Sequence, residues 1–234
     1  MLCASMVDFG TKKVVDVGTD HAYLPIYLVQ KGTAKSALVL DRLDGPLGNA
    51  KKNIKKYEVE NLVKTRLSNG LSNVSEKEAD TVIIAGMGAE NIINILRNTH
   101  WIKSNKKTLI LQPMTKDYLL RTYLIDNSFI TLKEELAVES KKVYLVLKVK
   151  CQSCVKESNK NIYNKIDPSI YPYIGTLFLN KKINEEKKFY IKSQINKIEK
   201  MLKGAKASKN IIKSESLLAI KNKIDILLNF YKEY

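Results

Sequence analysis

Two carboxylates, Asp16 and Asp20, flank a glycine, Gly18, in the stretch VVDVGTDHAYLPIYLVQ (Val14–Gln30), with His21 beside the second. A third, Asp41, follows twenty-five positions after Asp16, closing the apolar run Ala37–Leu40. Carboxylates gathered at a turn attract cations and accept hydrogen bonds from hydroxyls and amines, and they repel phosphate. A dinucleotide site calls for G-x-G-x-x-G, whose second glycine lets the backbone meet a pyrophosphate. Here Asp20 stands two residues after Gly18 and would repel that group. S-adenosylmethionine has no phosphate and carries a sulfonium and an ammonium, so Asp16 and Asp20 suit it better.

The elements that must position these groups can be read from the surrounding pattern. Val14–Val17 is a short β-branched run, Gly18 breaks it, and an apolar segment long enough for a helix follows. In parallel α/β sheets ligands bind at the carboxyl ends of strands, against such a first turn. A second strand within Thr33–Asp41 ends on Asp41, where nucleotide-binding folds hold ribose hydroxyls; a solvent-facing loop aspartate is the other reading. Gly45-Pro46 opens a helix with lysines on its outer face. Val63–Leu67 reads as a third strand running into Asn69-Gly70, a turn signal whose amide could also face an adenine.

Asp80–Ala85 is a buried strand followed by Gly86-Met87-Gly88, where glycine admits close backbone approach to a ligand. Thr108–Gln112 is the next strand, stopped by Pro113, and a helix spans Lys116–Asn127. Phe129–Glu134 and Val143–Lys150 form a closing pair of strands. The alternation predicts a Rossmann-like α/β fold, a doubly wound, mostly parallel sheet. Beyond Lys150 the pattern turns polar, then helical from Lys182, with Ile191, Ile195, Ile198 and Leu202 at heptad spacing. Gly204 offers a C-cap, Ala205–Asn210 a link, and Leu217, Ile220, Ile224, Leu227 and Tyr231 continue the seam, so an antiparallel helical hairpin is expected. Residues 1–150 thus form the expected cofactor domain, 151–181 a connection packed on it, and 182–234 a coiled-coil-like hairpin.

Bulk properties bound the partners. The formal net charge is +16; residues 1–150 carry 23 basic against 16 acidic side chains and the remainder 17 against 8, so the basic excess is denser after residue 150. Such a surface attracts nucleic acid through phosphate neutralisation, and equally fits lysines on solvated faces. Three cysteines are too few for a disulfide framework, and the pair Cys151 and Cys154 lacks a second pair or a nearby histidine, so no metal site is expected. No apolar run reaches the roughly 20 residues of a membrane span, and the first ten residues do not resemble a signal peptide, so no membrane partner and a cytoplasmic location are expected.

The segments DVGTDHAYLPIYLV, DGPL at Asp44–Leu47, AGMG at Ala85–Gly88 and LQPM at Leu111–Met114, with the basic helical C-terminal part, together resemble the bacterial tRNA (adenine-N1)-methyltransferases that modify adenosine 22. The resemblance runs over nearly the whole chain. It implies a class I methyltransferase domain binding S-adenosylmethionine through Asp16, Gly18, Asp20, His21, Asp41, Asn69, Gly70, Ala85, Gly86 and Met87, and a tRNA-gripping hairpin. Two positions depart from the family: Asn69 stands in place of Asp and Ala89 in place of Gly. Adenine N1 has its own lone pair, so no general base is needed; Asp20 would stabilise developing positive charge, and Gln112 is the other candidate catalytic residue. Met87, Gln112 and Pro113 would line the target-base pocket, with Gln112 alternatively bonded to backbone at its strand end. Tyr23 stacks on a base or packs on its helix, and His21 orients substrate or caps the helix. A methyltransferase of another substrate, or a non-catalytic RNA binder, are the rival readings.

Overall fold

The computed structural model describes residues 2–104, 106–140, 142–151, 166–179 and 184–230. Cys154, most of the polar connection, Lys182 and Tyr231 lie outside them. A seven-stranded sheet has the order β3-β2-β1-β4-β5-β7-β6, with β1 at Thr11–Val17, β2 at Ala34–Asp41, β3 at Val63–Leu67, β4 at Thr81–Met87, β5 at Thr108–Pro113, β6 at Phe129–Glu139 and β7 at Lys142–Cys151. The first five strands pair parallel. β7 inserts antiparallel between β5 and β6. The expected Rossmann-like sheet with its closing strand pair is therefore what forms, with β6 running five residues past the expected Glu134.

Helices cover both faces, which is why the central strands read as unbroken apolar runs. On one face Val14, Val39, Ile83 and Ile110 pack with α1 (Leu2–Ser5), α2 (Tyr23–Gln30) and α3 (Asp44–Lys56). On the other, Val15, Val17, Val82, Ile84, Leu109 and Leu111 pack with α4 (Ala89–Arg97) and α5 (Asp117–Asp126). The same second core continues into α6 (Tyr171–Ile174), α7 (Glu185–Ala207) and α8 (Ile211–Phe230) through Tyr173, Tyr190, Ile191, Ile198, Leu217 and Ile224.

α7 and α8 form the expected hairpin, with one correction. Gly204 does not cap α7, which runs on to Ala207 with Ser208 at its end. A helical glycine costs only about 1 kcal/mol relative to alanine, and the burial of Ala205 beyond it favours another turn. The stop is a Schellman motif around the C-cap Ser208. Lys209 takes the left-handed conformation (φ 54°), its N–H donates to the Lys206 carbonyl, and the Asn210 N–H donates to Ala205. Asn210 then caps α8 by accepting from the Lys213 N–H at 3.0 Å.

A polar latch ties the hairpin to the sheet domain. Asp117, the first residue of α5, accepts from the Tyr190 hydroxyl at 2.6 Å, Gln194 Nε2 at 2.8 Å and Lys197 Nζ at 2.9 Å. One turn on, the fully buried Arg121 pairs with Glu134 (3.1 and 3.2 Å) and donates to the Tyr190 hydroxyl at 2.8 Å. Burial opposes the charge on Asp117, yet Arg121 and Lys197 hold its carboxyl below the usual range. No helix among the described residues is long and apolar enough to cross a membrane.

Candidate active site

β1 sits between β2 and β4, where the strand order reverses direction, and crevices open at the carboxyl ends of strands at such a point. A cleft of about 420 Å³ lies there, lined by Val17, Gly18, Asp41, Arg42, Leu43, Ser68, Asn69, Gly70, Met87, Asn91 and Asn94 among others. That volume is within the roughly 300–1,000 Å³ of small-ligand sites. A second cavity of similar volume, lined by residues such as Glu90, Arg97 and Tyr123, is built from α4 and α5 alone and gathers none of the residues singled out in sequence.

The first turn is shaped by Gly18, whose φ of 77° favours glycine and whose N–H donates to Leu40 at 2.7 Å. A Cβ there would collide with the end of the Met87 side chain. Asp16 lies buried two residues earlier; burial pushes its carboxyl up to about 7, against a hydrogen bond from Thr19. At the end of β2, Asp41 Oδ1 accepts from the Leu43 N–H at 2.9 Å, and a carboxylate retains further acceptor sites for a ligand hydroxyl. After β3, Ser68 Oγ donates to the Gly70 carbonyl and accepts from the Asn73 N–H, so Asn69-Gly70 is a built turn as well as part of the cleft wall.

At the end of β4 the pairing with β5 shifts register between Ala85 and Met87. Gly86 sits in that irregularity at φ 79°, and its N–H is taken by Gln112 Oε1 at 2.8 Å. Gln112 Nε2 donates to the Pro113 carbonyl at 3.2 Å, so this buried amide is committed at both ends to the two strand ends. Met87 lines the cleft, whereas Ala85, Gly86, Gln112 and Pro113 are not among its lining residues. Ala89, where the family has glycine, is the first residue of α4, is buried, and is not among the residues of positive φ. Nothing in its backbone requires glycine.

Asp20, His21 and Tyr23 continue from the first turn but do not line the cleft. His21 Nε2 is 3.3 Å from Asp20 Oδ2, and the His21 and Tyr23 rings stack at 5.4 Å between centroids. All three side chains are substantially exposed. His21 does not cap α2: the cap position is Ala22, buried and left-handed at φ 57°, without a side-chain cap bond. A non-glycine residue held there costs roughly 1–2 kcal/mol, so the fold must hold that turn from outside.

Arg42, Ser68, Asn91 and Asn94 also line the cleft and escaped sequence reasoning. For Arg42 the signal was its place beside Asp41 at a strand end. Asn91 and Asn94, one helical turn apart just after the glycine turn, carried the only other cue.

A family profile described as a methyltransferase domain matches residues 1–147. A Bacillus subtilis tRNA (adenine(22)-N(1))-methyltransferase is 34% identical over 134 residues, 57% of this chain and 56% of that relative. A Mycoplasma genitalium relative is 30% identical over 59% of this chain and 62% of its own length. The aligned stretches thus span little more than half of these curated relatives. Solved structures match more widely. A Streptococcus pneumoniae protein assigned as a tRNA (m1A22) methyltransferase superposes with TM-score 0.79 at 32% identity, covering 97% of this chain and 96% of the other. The M. capricolum TrmK complex with S-adenosyl-homocysteine superposes with TM-score 0.72 at 28% identity, covering 97% and 95%. With the domain profile spanning its sheet and these structures spanning nearly its whole length, the chain belongs to the methyltransferase-domain family and, within it, to the bacterial tRNA (adenine(22)-N1)-methyltransferase family.

Proposed function

We propose that the protein transfers a methyl group from S-adenosylmethionine to N1 of an adenine, adenosine 22, in tRNA. The observation that carries this reading is the meeting of Gly18, Asp41, Asn69 and Met87 around one cleft, with Asp16 buried on the same strand two residues before Gly18. The residues fit the cofactor: a ribose acid at Asp41, an amide and turn backbone at Asn69-Gly70 for its adenine, and Asp16 with the Ala85-Gly86 backbone for its cationic end. When bound, the cofactor supplies an electrophilic methyl on sulfur.

The chain's own contribution is positioning and electrostatics. Adenine N1 presents its own lone pair, so attack proceeds in line and no residue need remove a proton first. Asp20 faces the charge that develops on the methylated base, and His21 orients the groups beside it. Tyr23 offers a ring for the target base to stack on, and Met87 with Pro113 closes the pocket, while Gln112 acts by holding the Gly86 turn. Because N1 lies on the Watson–Crick edge, a paired target must first be exposed. The basic hairpin grips the tRNA backbone, which supplies affinity rather than sequence reading. A tRNA substrate places the work in the cytoplasm.

Incubation with labelled S-adenosylmethionine and unmodified tRNA, followed by nucleoside analysis, tests this directly. The expected product is 1-methyladenosine. Its absence while tRNA binds would leave an RNA-binding protein with a methyltransferase fold, and a labelled product other than tRNA would redirect the substrate assignment.

A further inference from the structure

The turn that presents Asp20, His21 and Tyr23 is strained, and it does not hold itself. Ala22 is left-handed and buried, and no side chain caps α2 behind it. Its tethers come from α3, across the crossover. Asn53 Nδ2 donates to the His21 carbonyl at 2.9 Å, and Asn49 Nδ2 donates to Asp20 Oδ1 at 3.1 Å. The two asparagines stand four residues apart on one stripe of α3, beside the buried Leu47, Ala50 and Ile54 that anchor the helix to the sheet. Leu43 and Pro46, at the start of that helix, line the cofactor cleft.

We propose that Asn49 and Asn53 are positioning residues, which clamp the Asp20–Ala22 turn so that Asp20, His21 and Tyr23 face the target base in a fixed arrangement. The proposal rests on the methyl-transfer reading for its consequence and on geometry alone for the clamp. Asn53 fixes the backbone: with the His21 carbonyl held, Ala22 stays left-handed and the His21 and Tyr23 rings stay stacked. Asn49 fixes the carboxylate: its amide orients one oxygen of Asp20, while His21 lies against the other. Because α3 also walls the cofactor cleft, one rigid helix sets both reacting sides, and a displacement of about 1 Å between them can cost on the order of 100-fold in rate.

Asn53→Asp tests the clamp with little change of shape, since a carboxylate cannot donate to the carbonyl. Asn49→Ala is the second variant, and it removes only the hold on the carboxylate. The expected result for Asn53→Asp is a fall in kcat of roughly 10- to 100-fold, with KM for tRNA and cofactor affinity within about twofold, because phosphate contacts and the cleft are untouched. Amide hydrogen exchange followed by mass spectrometry should show faster exchange confined to residues 19–24. Asn49→Ala should lower kcat by less and leave exchange as in the parent. Unchanged kcat together with unchanged exchange in Asn53→Asp would overturn the proposal. So would equal losses in cofactor affinity, melting temperature and kcat, which would make Asn53 a general support of α3. If the unsubstituted protein forms no 1-methyladenosine, the methyl-transfer reading falls, and the exchange comparison still decides the clamp.

Discussion

Asp16 is the residue whose physical state the fold changes most usefully. Burial holds its carboxyl protonated up to about pH 7, whereas in the unfolded chain it ionises near 3.8. Below about pH 4 both states keep the proton and nothing is gained or lost. Between about 4 and 7 the unfolded chain releases it and the folded chain does not, so this group's contribution to stability falls as pH rises and levels off above 7. A cationic ligand beside it reverses the preference, because it favours the ionised form. Affinity for S-adenosylmethionine, measured by calorimetry at pH 6, 7 and 8, should therefore rise with pH, and Asp16→Asn should flatten the curve. A flat curve in the unsubstituted protein would remove Asp16 from the cofactor site. Asp41→Ala should weaken cofactor binding by about 10- to 100-fold, the loss expected for hydrogen bonds to a charged group, and spare tRNA affinity; equal loss of both would mean the ribose site is misplaced. The positions of Gly18 and Asp41 at the cleft were legible in sequence because a turn and a strand end fix them locally. Asn49 and Asn53 were not, since asparagines amid helical lysines look like ordinary surface until the crossover brings them over the first turn.

At the scale of elements, the join between α5 and α7 decides how the hairpin is held. Heptad spacing gave the seam correctly where Ile191, Ile198, Leu217 and Ile224 are buried. It was silent about Tyr190 and Gln194, which are buried against Asp117, because a period tells which residues share a face and not what polar group waits opposite. Tyr190 donates to Asp117 and accepts from Arg121 through one oxygen. Tyr190→Phe keeps the ring and leaves both buried charges one partner short, a loss of about 1–3 kcal/mol. For a chain of this length that corresponds to a melting temperature lower by roughly 2–4 °C per kcal/mol. A melting temperature within a degree of the parent would show that the latch contributes nothing net. Likewise the misjudged end of α7 has a physical reason: Gly204 signals a cap only if the chain has no better use for the next turn, and Ala205 buries there.

Over the whole molecule, the hairpin and the sheet domain share one core, and this changes how the tRNA grip must be tested. Removing residues after 181 would strip Tyr190, Ile191 and Ile198 from the second core, take the Tyr190, Gln194 and Lys197 donors from Asp117 and the Tyr190 hydroxyl from Arg121, so lost tRNA affinity would be confounded with lost stability. Charge substitution at the tip avoids this. Lys200, Lys203, Lys206, Lys209 and Lys213 follow one another with no acid between Glu199 and Glu215, and Lys203, Lys206, Lys209 and Lys213 are exposed. Each lysine that neutralises a phosphate releases counterions and adds about 0.7–0.9 to the slope of log affinity against log salt. The triple variant Lys206→Gln, Lys209→Gln, Lys213→Gln should bind tRNA more weakly at low salt and flatten that slope by about 2, while cofactor affinity and melting temperature hold. An unchanged slope would mean that the lysines of the tip are a solvated face, and that the tRNA backbone is gripped elsewhere on this basic chain.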